Sequence, residues 1–269
     1  MALIECPECG KMISDKAEYC LGCGYPVKLI LQEKPIDSNL SAEDLFELGY
    51  FYHEGENGYD VDYQKAFECV LLAAKKGLPS AQYKVAILYY DGDGTERNLE
   101  ECKNWIFIAA DNENDLAQYT LASWYEEGEF LSKNVKEAIR LYEKSANNGN
   151  VDAQFALGSI YYQGELVPKN YHLAVQWFEK AAQQEHEYSI LALGDCYLFG
   201  LGVAKEQKRA VNLYLQIAES NVEAQWHLGD CYFNGWGVRS NLQRAIHWYT
   251  IAAENGSEDA QIALEEILK

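Results

Sequence analysis

Basic residues are scarce in this chain: Lys and Arg number 22 against 42 Asp and Glu, a net charge of −20. Residues 1–28 hold three Lys and four acids, so the acidic excess is spread over the remainder. A field of that sign repels phosphate backbones and anionic lipid. It argues against nucleic acid and membrane surfaces as partners and for a basic or apolar one. Long apolar runs are missing too, since no stretch approaches the roughly 20 residues that a membrane span needs. The start, Met1-Ala2-Leu3-Ile4-Glu5-Cys6, has no basic region leading into an apolar one. A cytoplasmic protein is expected. Catalytic signatures are also absent: there is no His-Glu-x-x-His, Ser-x-x-Lys, Gly-x-Ser-x-Gly or Gly-rich phosphate loop. The five His, at 53, 172, 186, 227 and 247, join no nucleophile–base set, and the expectation is a protein that is not an enzyme.

What is present begins with cysteine. Cys6-Pro7-Glu8-Cys9-Gly10 and Cys20-Leu21-Gly22-Cys23-Gly24 form a C-x2-C, x10, C-x2-C pattern. Four thiolates from two tight turns can close a tetrahedron around one zinc ion with no open position, which makes a structural site. Cys6, Cys9, Cys20 and Cys23 are the candidate metal ligands. Gly10 and Gly24 follow the second Cys of each pair, where their N–H groups are expected to turn back toward the sulfurs. Two disulfides or a redox C-x-x-C leave those matched glycines unexplained. So short a module has little core, and metal binding would supply most of its folding free energy, on the order of 10 kcal/mol. Residues 6–27 resemble the short zinc-ribbon family, with Leu21 where a Pro often follows the third Cys; the resemblance implies a small interaction or anchoring module. Residues 29–40 carry Pro35 and no sustained periodicity, and read as a linker.

From residue 41 the chain repeats itself. Ala81-Gln-Tyr-Lys-Val-Ala-Ile-Leu-Tyr89 recurs as Ala117 to Tyr125, Ala153 to Tyr161 and Ala224 to Tyr232, and in part from Asp44, Ser189 and Ala260, a period of 35 to 37 residues. Such a unit cannot bury its apolar face alone and must stack on neighbours. Within it, Ala117, Leu121, Ala122 and Tyr125 share one helical face. A second helix carries alanines eight residues apart, as in Ala138 and Ala146. Gly92, Gly128, Gly164, Gly200 or Gly235 lies between the two helices, where a left-handed backbone ends the first. Asp62, Asn98, Asn134, Asn170 or Asn241 then caps the second. Glu206 breaks that series, and its cap is expected to be weaker. Asp91-Gly92-Asp93-Gly94-Thr95 falls in register as an ordinary glycine turn, without the spaced Glu of a calcium loop. Cys69, Cys102, Cys196 and Cys231 occupy apolar or small slots and read as buried residues.

The Ala-Gln-aromatic-x-Leu-Gly and Tyr-x-x-Gly segments, followed by a helix ending in paired alanines, resemble the Sel-1-like repeat family, relatives of the tetratricopeptide repeats. The fold class expected is all-α: a right-handed solenoid of about six helical hairpins plus a C-terminal capping helix over 41–269, preceded by a zinc ribbon at 1–28. The resemblance implies a protein–protein scaffold whose first helices line a concave face. Tyr50, His53, Tyr90, Tyr162, Asp195, Asp230 and Phe233 fall on that face and are the candidate contacts for a client protein or peptide. The same positions could instead pack against the next unit or stay solvated. Two further function classes stand beside the scaffold: a nucleic-acid-associated factor acting through the ribbon, and a hydrolase of the kind known among cysteine-rich relatives.

Overall fold

The computed structural model describes residues 3–6, 8–14, 17–27 and 36–267. Residues 29–35 of the expected linker lie outside that set. At the N-terminus, β1 (Leu3–Glu5) and β2 (Met12–Ser14) pair antiparallel with Ile4 opposite Ile13, and a bridge joins Tyr19 to Pro26. Ile4, Ile13 and Val27 pack with Cys6 and Cys20. This is a very small core, as expected of a module that leans on cross-linking at its cysteines.

Thirteen helices follow among the described residues, and the chain divides into two compact units. The first, residues 1–121, holds α1 (Ala42–Glu54), α2 (Tyr63–Lys75), α3 (Pro79–Asp91) and α4 (Leu99–Asp111). Helix α5 (Asp115–Glu127) runs across the division. The second, residues 122–269, holds α6 (Val135–Asn147), α7 (Val151–Gln163), α8 (Tyr171–Ala182), α9 (Glu187–Phe199), α10 (Gln207–Ile217), α11 (Val222–Asn234), α12 (Leu242–Glu254) and α13 (Glu258–Ile267).

Local chemistry explains these boundaries. Gly92, Gly164, Gly200 and Gly235 end their helices at φ 74° to 78°, each donating its N–H to the carbonyl four residues back. Only glycine adopts that conformation without strain. The loop is then tied to the helix it left. Asn98, Asn134, Asn170 and Asn241 donate their N–H to the carbonyls of Tyr89, Tyr125, Tyr161 and Tyr232 at 2.8–2.9 Å. Each of those side chains also accepts an N–H of the next helix's first turn. Glu206 makes no side-chain cap bond, and α10 behind it has only 11 residues.

Packing between hairpins uses the alanine seam, in which Ala81, Ala117, Ala153 and Ala224 are all fully buried. It also uses a polar stitch. Gln82, Gln118, Gln154 and Gln225 are buried and donate Nε2–H to the carbonyls of Ala74, Ala110, Ala146 and Ala218 on the preceding helix, at 2.7–3.2 Å. The Oε1 atoms of Gln82, Gln154 and Gln225 accept from Asn112, Gln184 and Asn255 beyond the following helix. Each of these three glutamines therefore ties three consecutive helices together, and Ile190 takes the equivalent place in the fifth hairpin.

Candidate metal centre and interaction faces

The two Cys pairs are held by matching turns. Cys6 N–H donates to the Lys11 carbonyl and Gly10 N–H to the Cys6 carbonyl; Cys20 N–H donates to Tyr25 and Gly24 N–H to Cys20, all at 2.8–2.9 Å. Gly10 and Gly24 sit at φ 70° and 77°. Their amides thus bond carbonyls instead of the expected sulfurs. The left-handed turn aims the next N–H, that of Lys11 or Tyr25, at the Cys9 or Cys23 sulfur, while Gly22 N–H lies 3.4 Å from Cys20 Sγ.

All four sulfurs lie within 4.8 Å of one another, with Cys6 to Cys23 and Cys9 to Cys20 at 3.5 Å. A tetrahedron with metal–sulfur bonds of about 2.3 Å has edges of about 3.8 Å, so the cluster fits a four-coordinate ion. The protons fit it as well. The Gly22 N–H pulls the Cys20 thiol down to about 6. The Tyr25 N–H favours the Cys23 thiolate, but burial and the three other sulfurs outweigh it and push that thiol up to about 12. Cys20 thus ionises readily, and a bound cation would favour the thiolates of Cys9 and Cys23. Cys69, Cys102, Cys196 and Cys231 are buried free thiols elsewhere, and burial raises all four.

The candidate contact residues have varied surroundings. Tyr50 is 52% exposed. His53, one turn away, is half-buried, with Nδ1 on Glu54 at 2.7 Å and Nε2 on Asp93 at 3.1 Å. Tyr90 is exposed, with the Arg97 guanidinium 5.3 Å from its ring centre. Phe233 is also exposed. Tyr162 is half-buried among Tyr171 and Phe178, and burial raises its hydroxyl. Asp195 and Asp230 are half-buried acceptors for the Tyr214 and Tyr249 hydroxyls, both at 2.6 Å. Burial raises both carboxyls above the usual range. His227, which the repeat pattern did not single out, links this row: its ring stacks on Tyr214, and Nε2 lies 3.4 Å from Asp195. No periodic signal marked it, since its register holds Lys84, Thr120, Ala156 and Ala192 in other hairpins.

Paired helices ended by left-handed glycines, capped by Asp or Asn and stacked on alanines, define a repeat-solenoid protein. A four-cysteine ribbon precedes the repeats. The chain belongs to the Sel1 repeat family: matches to the Sel1 repeat cover residues 42–78, 79–114, 115–150, 151–186, 188–222 and 222–257. A zinc-ribbon domain matches residues 6–27. Repeats of this kind build protein-interaction scaffolds.

Among solved structures, a protective antigen of uropathogenic Escherichia coli displaying an SLR fold is 32% identical, with a TM-score of 0.77 over 84% of this chain and 48% of its own. A Sel1 repeat protein from Oxalobacter formigenes is 32% identical, with a TM-score of 0.70 over 84% of this chain and 88% of its own. Chitin synthase regulatory factor 3 of Schizosaccharomyces pombe is 41% identical over 64 residues, which are 24% of this chain and 7% of that protein. The chain thus spans about half of the first structure and a small part of the yeast protein. No helix among the described residues is long and apolar enough to cross a membrane.

Proposed function

We propose that this chain is a non-catalytic, cytoplasmic scaffold that holds a basic and apolar client protein or peptide on the faces of its first helices. Residues 1–28 form the ribbon, 29–40 a linker and 41–269 the repeats. Cys6, Cys9, Cys20 and Cys23 bind one structural zinc ion that keeps the ribbon folded. The observation that carries the scaffold reading is the exposure of Tyr50, Tyr90 and Phe233, large rings on first helices in a chain of net charge −20. Rings beside acids favour a partner with apolar and basic side chains. The four buried free thiols of the repeats suit a reducing compartment. In this reading Asp195 and Asp230 serve the face indirectly, by fixing Tyr214 and Tyr249 beneath it.

The test is to purify the full chain from native lysate, identify retained proteins by mass spectrometry, and measure the affinity of each for the purified chain and for the Tyr90→Ser, Phe233→Ser variant. A discrete client weakened at least tenfold by the pair supports the reading. Nucleic acid retained at low salt, with no protein client, contradicts it. Elemental analysis should give one zinc per chain.

A further inference from the structure

The hairpins solve one packing problem in different ways. Eight residues after the cap position, the second helix carries Val70, Ile106, Tyr142, Phe178, Tyr214 or Tyr249, and the matching register of the first helix holds Gly49, Ala86, Ala122, Gly158, Gly194 or Gly229, so the ring of Tyr142 is matched with an alanine. Where the ring partner is Phe178, Tyr214 or Tyr249, the glycine makes room for it. A Cβ added at Gly158, Gly194 or Gly229 would lie 2.4 Å from the ring. The first hairpin keeps the glycine, Gly49, but pairs it with Val70.

Val70 Cγ2 fills the space directly against Gly49, 2.7 Å from where a Cβ would stand, and the room that a ring would take beyond it is open. A hollow of about 170 Å3 lies there, floored by buried Gly49, Ala66, Val70 and Leu88, with exposed Tyr50 and Glu54 at its mouth. Phe46, His53 and Lys84 complete its walls. The occupied slots have the same lining. Phe178 sits against Phe155, Gly158 and Tyr162, the register equivalents of Phe46, Gly49 and His53. His227 covers Tyr214 where Lys84 stands here. An apolar cavity of about 150 Å3 accepts benzene, so this one has room for a phenyl ring.

We propose that this slot receives a phenylalanine-type side chain of a partner protein, flanked there by Lys or Arg. The inference rests on the scaffold reading and names the side chain that its first hairpin recognises. Phenylalanine is preferred to tyrosine because the positions that hold the carboxylate acceptors elsewhere, those of Asp195, Asp230 and Glu126, are Tyr50 and His53 here. Basic flanks follow from charge. Glu54 lies at the mouth, and Glu43 and Glu47 line an adjoining shallow hollow that shares Phe46 and Tyr50.

The experiment follows the methyl signals of Val70 and Leu88 by NMR in the full zinc-loaded chain. The probe is acetyl-Lys-Phe-Lys-amide, with acetyl-Lys-Ala-Lys-amide as its control. The expected result is saturable shifts with the phenylalanine peptide and affinity on the order of tenfold weaker for the control. Val70→Phe, which supplies the ring internally as in the fourth hairpin, should keep or raise the melting temperature and abolish binding. In a second variant, Glu43→Lys, Glu47→Lys and Glu54→Lys at exposed positions should weaken this peptide severalfold while leaving acetyl-Ser-Phe-Ser-amide unchanged. Equal affinity for the two lysine peptides, or no shift at Val70, overturns the proposal. So does a Val70 signal in the free protein that moves on dilution, which marks a second copy in the slot. A signal that moves with Leu29→Ser and Leu31→Ser marks the chain's own segment and overturns it equally. Full affinity of Val70→Phe for a protein client removes the slot and leaves the scaffold reading standing.

Discussion

Replacing Gln225 by Ala should cost more than the same change at Gln82 or Gln154, although the three residues look alike in sequence. Gln225 Nε2–H reaches the carbonyl of Ala218, which closes the short helix α10, at 2.7 Å, and its Oε1 accepts from Asn255 at 3.0 Å. Ala218 is 5% exposed, so water does not replace the lost donor. An unsatisfied buried carbonyl costs about 1–3 kcal/mol, and removing the packed side chain adds about 1 kcal/mol. The Ala74 and Ala146 carbonyls, in contrast, also accept the N–H groups of Gly77 and Gly149, at 3.0 and 3.2 Å. There the loss should be about 1–2 kcal/mol, against about 3 kcal/mol at Gln225. In a chain of this size the larger value lowers the melting temperature by about 6–12 °C. Urea unfolding followed by circular dichroism measures the ranking, and hydrogen exchange should show the loss of protection centred on α10 to α12. If Gln225→Ala is no worse than Gln154→Ala, or if Gln225→Leu is as stable as the wild type, the stitch is not what joins these hairpins.

Three other perturbations probe separate parts of the fold. Glu206→Asn restores the cap missing from α10 and should stabilise the chain by about 1 kcal/mol in urea unfolding; no gain would show that Glu206 is compensated elsewhere. His186 caps α9 by accepting the Ser189 N–H on Nδ1, and burial lowers its pKa against the pull of Asp152 and Glu187. Its neutral form is therefore favoured by folding. That stability is present above the ordinary value near 6.5 and is lost as pH falls through it toward the lower folded value. Between pH 7 and 5, the melting temperature should fall further for the wild type than for His186→Asn, and equal slopes would refute the cap. Cys9→Ser should reduce bound zinc from one per chain to well below half while the helical signal persists; full zinc content would remove Cys9 from the ligand set.

The parts legible in sequence are those whose chemistry is local. A glycine that must be left-handed, an Asn that accepts the next turn's N–H, and a C-x2-C turn each carry cause and effect within about five residues. Gly92, Asn98 and Cys6 with Cys9 could therefore be read directly. The stitch was printed in the sequence as a recurring Gln, yet its partners are a carbonyl eight residues back and an amide thirty residues on. The periodicity of one helix says nothing about either. Asp195 and Asp230 looked like acids free for a client because the tyrosines that bind them lie 19 residues downstream, on another helix. The open slot beside Gly49 is subtler still. It is a mismatch of sizes between two helices, and it shows only when Val70 is set beside Phe178 and Tyr214.

The central claim is that the first helices present the binding face. Placing a photo-crosslinking residue in turn at Tyr90 and Phe233 on first helices, and at Phe107 and Leu215 on second helices, tests it most directly, because all four positions are exposed. The account predicts crosslinks to a protein client from Tyr90 or Phe233 and none from Phe107 or Leu215. Crosslinks confined to the second-helix positions would contradict it.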